Sequence, residues 1–75
     1  MKAVHFVSTN AVLGDLHVAS MLRAANSNSV LAGGILAELK KRVDNLSAEA
    51  LPGQQVVVAR DVRDVLHKLE RAASK

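Results

Sequence analysis

The alternation of apolar and polar residues at the start of the chain predicts a short strand. Residues 3–8 are rich in β-branched and aromatic side chains and alternate in part. Because neighbouring side chains in a strand point to opposite faces, Val4 and Phe6 would share one face, and His5 and Val7 the other. An early helical turn is the alternative interpretation of this segment.

Two helices joined by a short turn are predicted next. Capping residues at 8–10 precede apolar residues at helical spacing, which predicts a first helix over about residues 10–25. Four turn-forming residues, Asn26 to Ser29, end this helix and begin a second, whose apolar stripe runs from Ala32 to Leu46. Because the connection is so short, we expect an antiparallel helical hairpin.

The pair Gly33-Gly34 lies inside the pattern of the second helix, where glycine weakens a helix. Two interpretations compete. The pair permits another backbone to approach closely, or it delays the start of the helix to about residue 34. We favour the close approach.

The last third of the chain predicts a loop, a strand and a helix. The loop at residues 45–55 contains the turn signal Pro52-Gly53. Residues 55–58 follow without alternation, which predicts a strand that is buried on both faces and pairs with the first strand in an undetermined orientation. Asp61 is the predicted N-cap of the final helix, whose apolar stripe comprises Val62, Val65, Leu66, Leu69, Ala72 and Ala73. The predicted fold is therefore a single small α+β domain over residues 1–75, mainly helical, in the order β-α-α-β-α.

The length and composition of the chain favour self-association. A chain of 75 residues buries only about 60% of the surface that its unfolded form exposes, so apolar contacts between subunits would stabilise it. The absence of cysteine excludes disulfides and thiolate zinc sites. No apolar stretch reaches the roughly 20 residues of a membrane span, and the first apolar run is too short for a secretory signal. We therefore expect a cytoplasmic homo-oligomer, with a dimer favoured.

Catalytic and metal-binding patterns are missing from the sequence. It contains neither a cysteine nor a Gly-x-Ser-x-Gly elbow, and its serines cluster at helix starts, where capping explains them. His5 and His17 are far apart, while Asp64 and His67 share a helix face without a third ligand. We expect no enzymatic activity, no metal and no cofactor.

The leading functional hypothesis is a non-enzymatic protein-interaction module that self-associates through the helical hairpin and acts by binding a protein partner. The first helix is too broadly apolar to be covered on a single face, and the second carries apolar residues beside its main stripe. We expect a small accessory or inhibitor protein of bacterial, phage or plasmid origin. The predicted interface comprises Val12, Leu16, Met21, Leu31, Gly33, Gly34 and Ile35.

The alternative hypothesis is a small DNA-binding regulator, because two helices joined by a short polar turn can form a helix-turn-helix. Its predicted contacts comprise Asn26, Ser27, Asn28, Lys40, Lys41 and Arg42. Two observations weigh against it. The first half of the second helix is apolar and offers nothing that reaches a base edge, and the net charge of +3 is low for a DNA reader.

Overall fold

The structure, a computed structural model that describes residues 3–75, contains two strands and four helices. In chain order they are β1 (Val4–Val7), α1 (Thr9–Leu13), α2 (Val18–Ser27), α3 (Ser29–Ser47), β2 (Gln55–Val58) and α4 (Arg60–Ala73). The predicted α+β fold, mainly helical, is confirmed. The order of elements is β-α-α-α-β-α because the predicted first helix is divided into two.

The two strands pair in parallel, with Val4 opposite Gln55 and Val7 opposite Val58. The predicted pairing is therefore confirmed, and its orientation is now defined. Paired residues project to the same side of the sheet, and Val7 is buried beneath the helices while Phe6 is exposed on the opposite side. The helices thus cover one face only, and the prediction that the second strand is buried on both faces is wrong.

The break between α1 and α2 lies at Gly14. Ser8 caps α1 by accepting a hydrogen bond from the backbone N–H of Ala11, at 3.1 Å. At the other end the N–H of Gly14 donates to the carbonyl of Asn10, at 2.9 Å, and a Cβ at position 14 would overlap that carbonyl oxygen. The close approach is possible only for glycine, so α1 ends here and a new helix begins at Val18.

Asn28 alone connects α2 and α3. Its side-chain oxygen accepts hydrogen bonds from the backbone N–H groups of Val30 and Leu31, both at 3.1 Å, which fixes the start of α3 at Ser29. The helix then continues through the glycine pair to Ser47, which rules out the alternative of a delayed start near residue 34 and takes α3 three residues into the predicted loop of 45–55. Within residues 3–75, no atom outside the helix backbone lies within 4 Å of a Cβ placed at either glycine.

The hydrophobic core lies between α4 and the other helices. Val62, Val65, Leu69 and Ala72 of α4 are all buried, and α4 packs along α3 and also contacts α1 and α2. The predicted N-cap at Asp61 is wrong, because the N-cap is Ala59, two residues earlier, and it makes no side-chain capping hydrogen bond. Asp61 lies in the first turn, where the positive end of the helix dipole stabilises its carboxylate.

The molecule is elongated, with extents of 45 × 20 × 16 Å. Its radius of gyration is 13.4 Å, whereas a compact domain of this length has about 11 Å. Its accessible surface is 5135 Å², compared with about 4,500 Å² for a globular monomer of the same mass. The chain therefore exposes more surface than its size requires.

Candidate functional site

An open apolar groove lies between the α1–α2 connection, α2 and the first half of α3. Its cavity volume is about 570 Å³. Leu39 forms part of its floor, and Glu38 and Arg42 bound it toward the end of α3. The remaining lining residues, which define what we call the hairpin groove, are Leu16, Met21, Val30, Leu31, Gly34 and Ile35.

The local structure explains why these residues share one groove. Leu31, Gly34 and Ile35 are spaced by three and four residues along α3, so they fall on one helix face. Leu16 comes from the connection that Gly14 opens between α1 and α2, and Met21 comes from the first turn of α2. Without the break at Gly14, Leu16 would lie within a continuous helix instead of at the wall of the groove.

The exposure of the rim is what distinguishes this groove from the core. Val30 is 84% exposed and Leu31 is 42% exposed, although both are large apolar residues. They occupy the first turn of α3, immediately after its cap at Asn28. No described element of the chain covers this turn.

The structure brings together most of the interface that the sequence predicts. Of the predicted residues, those that line the groove are Leu16, Met21, Leu31, Gly34 and Ile35. Val12 is a correction, because it is fully buried in the core and cannot reach a partner. Gly33 does not line the groove. The sequence prediction missed Val30. The signal that could have identified it is an apolar residue outside the main stripe of α3, two positions after the cap residue Asn28.

Arg42 links α3 to Val12 and Asp15 at one end of the groove, and we call these contacts the Arg42 clamp. Its guanidinium donates two hydrogen bonds to the Asp15 carboxylate, at 2.8 and 3.3 Å, and one to the carbonyl of Val12, at 3.0 Å. The hydrogen bond from Arg42 is the main reason why the pKa of the Asp15 carboxyl lies below its ordinary value. These hydrogen bonds tie α3 to the connection that carries Leu16 at the charged end of the groove.

The residues predicted for DNA contact do not form one surface. Arg42 is engaged by Asp15, the Lys40 ammonium lies 3.9 Å from the Glu70 carboxylate, and the Asn28 side chain caps α3. Lys40 also follows Asn28 by about 18 Å along the helix, at 1.5 Å per residue. The polar turn and the basic run therefore lie apart along the hairpin, and Asn28 and Arg42 have structural partners, while DNA contact by these residues stays a prediction.

His5 has a structural role. Its Nε2 lies 2.7 Å from the carbonyl oxygen of Leu46, a hydrogen bond that joins β1 to the last turns of α3. Among residues 3–75, no three side chains of the histidine, aspartate and glutamate types come together as a metal site. In the same part of the chain, no helix is both long enough and apolar enough to cross a bilayer.

A second apolar surface lies on the opposite side of the sheet from the helices. Val4, Phe6, Gln55 and Val57 project there, and we call these four residues the sheet face. The three apolar members, Val4, Phe6 and Val57, are 50%, 58% and 36% exposed, respectively. The described residues thus present an apolar groove formed by helices and a mainly apolar face formed by extended strands.

Comparison with known proteins adds no functional assignment to this geometry. No protein-family model matches the chain, and no curated protein or solved structure shows significant similarity to it. The hairpin groove and the sheet face are therefore the observations on which a functional proposal depends.

Proposed function

We propose that the protein is a non-enzymatic protein-interaction module whose binding surface is the hairpin groove. The observation that carries the proposal is the exposed apolar rim at Val30 and Leu31, above a groove lined by apolar side chains. Contiguous exposed apolar surface on a small protein is typical of binding sites for other proteins. The accessory or inhibitor role expected from the sequence remains part of this proposal.

The shape and lining of the groove fit an amphipathic helix. Helix-in-groove recognition uses apolar anchors at spacings of three and four residues, and the wall formed by α3 presents the same spacing. Gly34 has no side chain and faces open space, so it lets a partner backbone approach closely. Glu38 lies at the charged end with a largely exposed side chain, which favours a lysine or arginine beyond the apolar stripe of the partner.

The concave form of the groove favours a different protein over a second copy of this chain. In a two-fold symmetric contact the same patch meets itself, so two concave grooves would face each other and leave a space unfilled. A convex helix fills the groove directly. Self-association through the helical hairpin remains a prediction, which the unfolding of Leu31→Ala at low and high protein concentration tests.

A selection for helical peptides tests the proposal. We expect a library of displayed amphipathic peptides to yield binders whose NMR chemical-shift changes map to the hairpin groove. Gly34→Leu places a side chain in the groove and should weaken binding at least about tenfold, or 1.4 kcal/mol. Gly33→Leu is the matched control, because the same change is made one residue away, outside the groove lining. Equal affinity in both variants, or shift changes that map elsewhere, would contradict the proposal.

DNA binding stays the alternative prediction, without a specific observation that favours it. A titration with duplex DNA at several salt concentrations tests it, since phosphate contacts weaken steeply as salt increases. Lys40→Gln and Lys41→Gln are the informative variants. Arg42 is left unchanged because it clamps Asp15, and its loss would disturb the structure. Salt-dependent binding that both variants weaken would replace the protein-interaction proposal.

A further inference from the structure

The sheet face lacks the cover that a parallel sheet normally has. Parallel strands occur almost only in sheets that are buried on both faces, because their connections place helices there. Here β1 and β2 are parallel, and the helices bury Val7 on one face. On the other face, Phe6 is 58% exposed and Val4 is 50% exposed.

The strands also lack the features that usually keep a sheet from associating. Charged side chains and proline commonly protect exposed strands, and neither type occurs in Val4–Val7 or Gln55–Val58. The one titratable side chain, His5, is directed to the helix side and hydrogen-bonded to Leu46. The sheet face is consequently extended and uncharged, and it is apolar except for Gln55.

We infer that a second copy of this chain covers the sheet face, so that two sheets pack face to face between two layers of helices. A two-fold contact requires a patch that is complementary to itself, and an uncharged surface of extended strands meets its own copy without burying or opposing any charge. The same absence of charge gives a charged partner no means of recognition. The excess accessible surface of the elongated monomer is consistent with this cover.

The size of the sheet face sets the strength of the dimer. Two four-residue strands, with Phe6 as the only aromatic side chain, offer a few hundred Å² per copy, whereas standard protein interfaces bury about 800 Å² per partner. We therefore infer a reversible dimer that forms with increasing protein concentration, not an obligate one. This inference is independent of the hairpin groove.

Sedimentation velocity over a series of protein concentrations tests the inference. The wild-type chain should shift from monomer to dimer, and Phe6→Glu should raise the dimer dissociation constant at least about tenfold, because it places two like charges in one apolar contact. Leu31→Glu is the matched control, with the same charge introduced at the rim of the hairpin groove. It should leave the dimer unchanged, and circular dichroism should show that both variants retain their helices.

Mixing two variants of opposite charge tests whether the molecule that covers the sheet face is a second copy of this chain. Mixing the Phe6→Glu and Phe6→Lys chains should restore the dimer that each variant loses alone, since opposite charges then meet across the contact. If either Phe6 variant is unfolded, Val57→Glu and Val57→Lys provide the same test from the neighbouring strand. A wild-type chain that stays monomeric, a dimer that Leu31→Glu disrupts and Phe6→Glu does not, or a mixture that stays monomeric would overturn the inference.

Discussion

The helix α4 and the first half of α3 both carry large apolar residues, with different outcomes. In α4 the stripe of Val62, Val65 and Leu69 is buried, because the helix packs along α3 and contacts α1 and α2. At the start of α3, Val30 and Leu31 stay exposed because no described element lies against them. Apolar spacing therefore indicates which side of a helix is suited to pack against another element. Whether the same chain supplies that neighbour depends on the tertiary arrangement.

The largest expected change in stability comes from the removal of a core side chain from α4. Leu69 is fully buried, so Leu69→Ala should lower the free energy of unfolding by about 2–5 kcal/mol, from lost apolar burial and the cavity left behind. Urea denaturation monitored by circular dichroism measures the change. A loss below about 1 kcal/mol would mean that the core relaxes around the site and that α4 is less firmly packed than its burial indicates.

Two glycine substitutions should change stability in opposite directions. At Gly14 a Cβ would overlap the carbonyl oxygen of Asn10, so Gly14→Ala should destabilise the fold by about 1–3 kcal/mol. At Gly33, in the first half of α3, a Cβ meets nothing within 4 Å. Gly33→Ala should therefore stabilise the helix by about 0.5–1 kcal/mol. Thermal unfolding of both variants measures the two changes, and a loss at Gly33 would reveal a contact that covers this half of α3.

The sequence predicted the elements whose pattern is local and strong. The stripe of α4 and the strand pair of β1 and β2 were correctly predicted, because spacing and β-branched composition determine them. The division of the first helix was not predicted. The weak helix propensity of Gly14 was visible in the sequence, whereas its contact with the Asn10 carbonyl depends on the folded backbone.

Most of the candidate site was predicted for the same reason. Leu31, Gly34 and Ile35 have helical spacing, so their common face follows from the sequence. Val12 appeared equivalent to Leu16 while both were placed on one continuous helix. The break at Gly14 separates them, so Val12 enters the core and Leu16 reaches the groove.

Acid should weaken the Arg42 clamp at the groove and leave the packing of α4 unaffected. The fold lowers the pKa of Asp15, mainly through the hydrogen bond from Arg42, so it favours the charged carboxylate. The stabilisation is therefore complete above the ordinary aspartate pKa of about 3.9, and it is lost as the pH falls through the lower pKa of the folded state.

Asp15→Asn measures this contribution. The variant should be less stable than the wild type at neutral pH, and the two should converge as the pH falls from about 4 through the lower pKa of the folded state, below which the wild-type carboxyl is also neutral. The effect should be small because the Asp15 side chain is 65% exposed to solvent. Urea denaturation at several pH values provides the comparison. A difference that stays constant across the pH range would assign the role of Asp15 to shape or polarity instead of charge.

A small expected effect is informative about the exposed first turn of α3. Leu31→Ala removes a large apolar side chain, as Leu69→Ala does, yet it should lower the free energy of unfolding by about 1 kcal/mol or less, because Leu31 is 42% exposed whereas Leu69 is fully buried. The same substitution should weaken a peptide bound in the hairpin groove. Measuring unfolding at low and high protein concentration separates two cases. A loss that grows with protein concentration would mean that a second copy covers Leu31, whereas a loss as large as that of Leu69→Ala at every concentration would place Leu31 in the core.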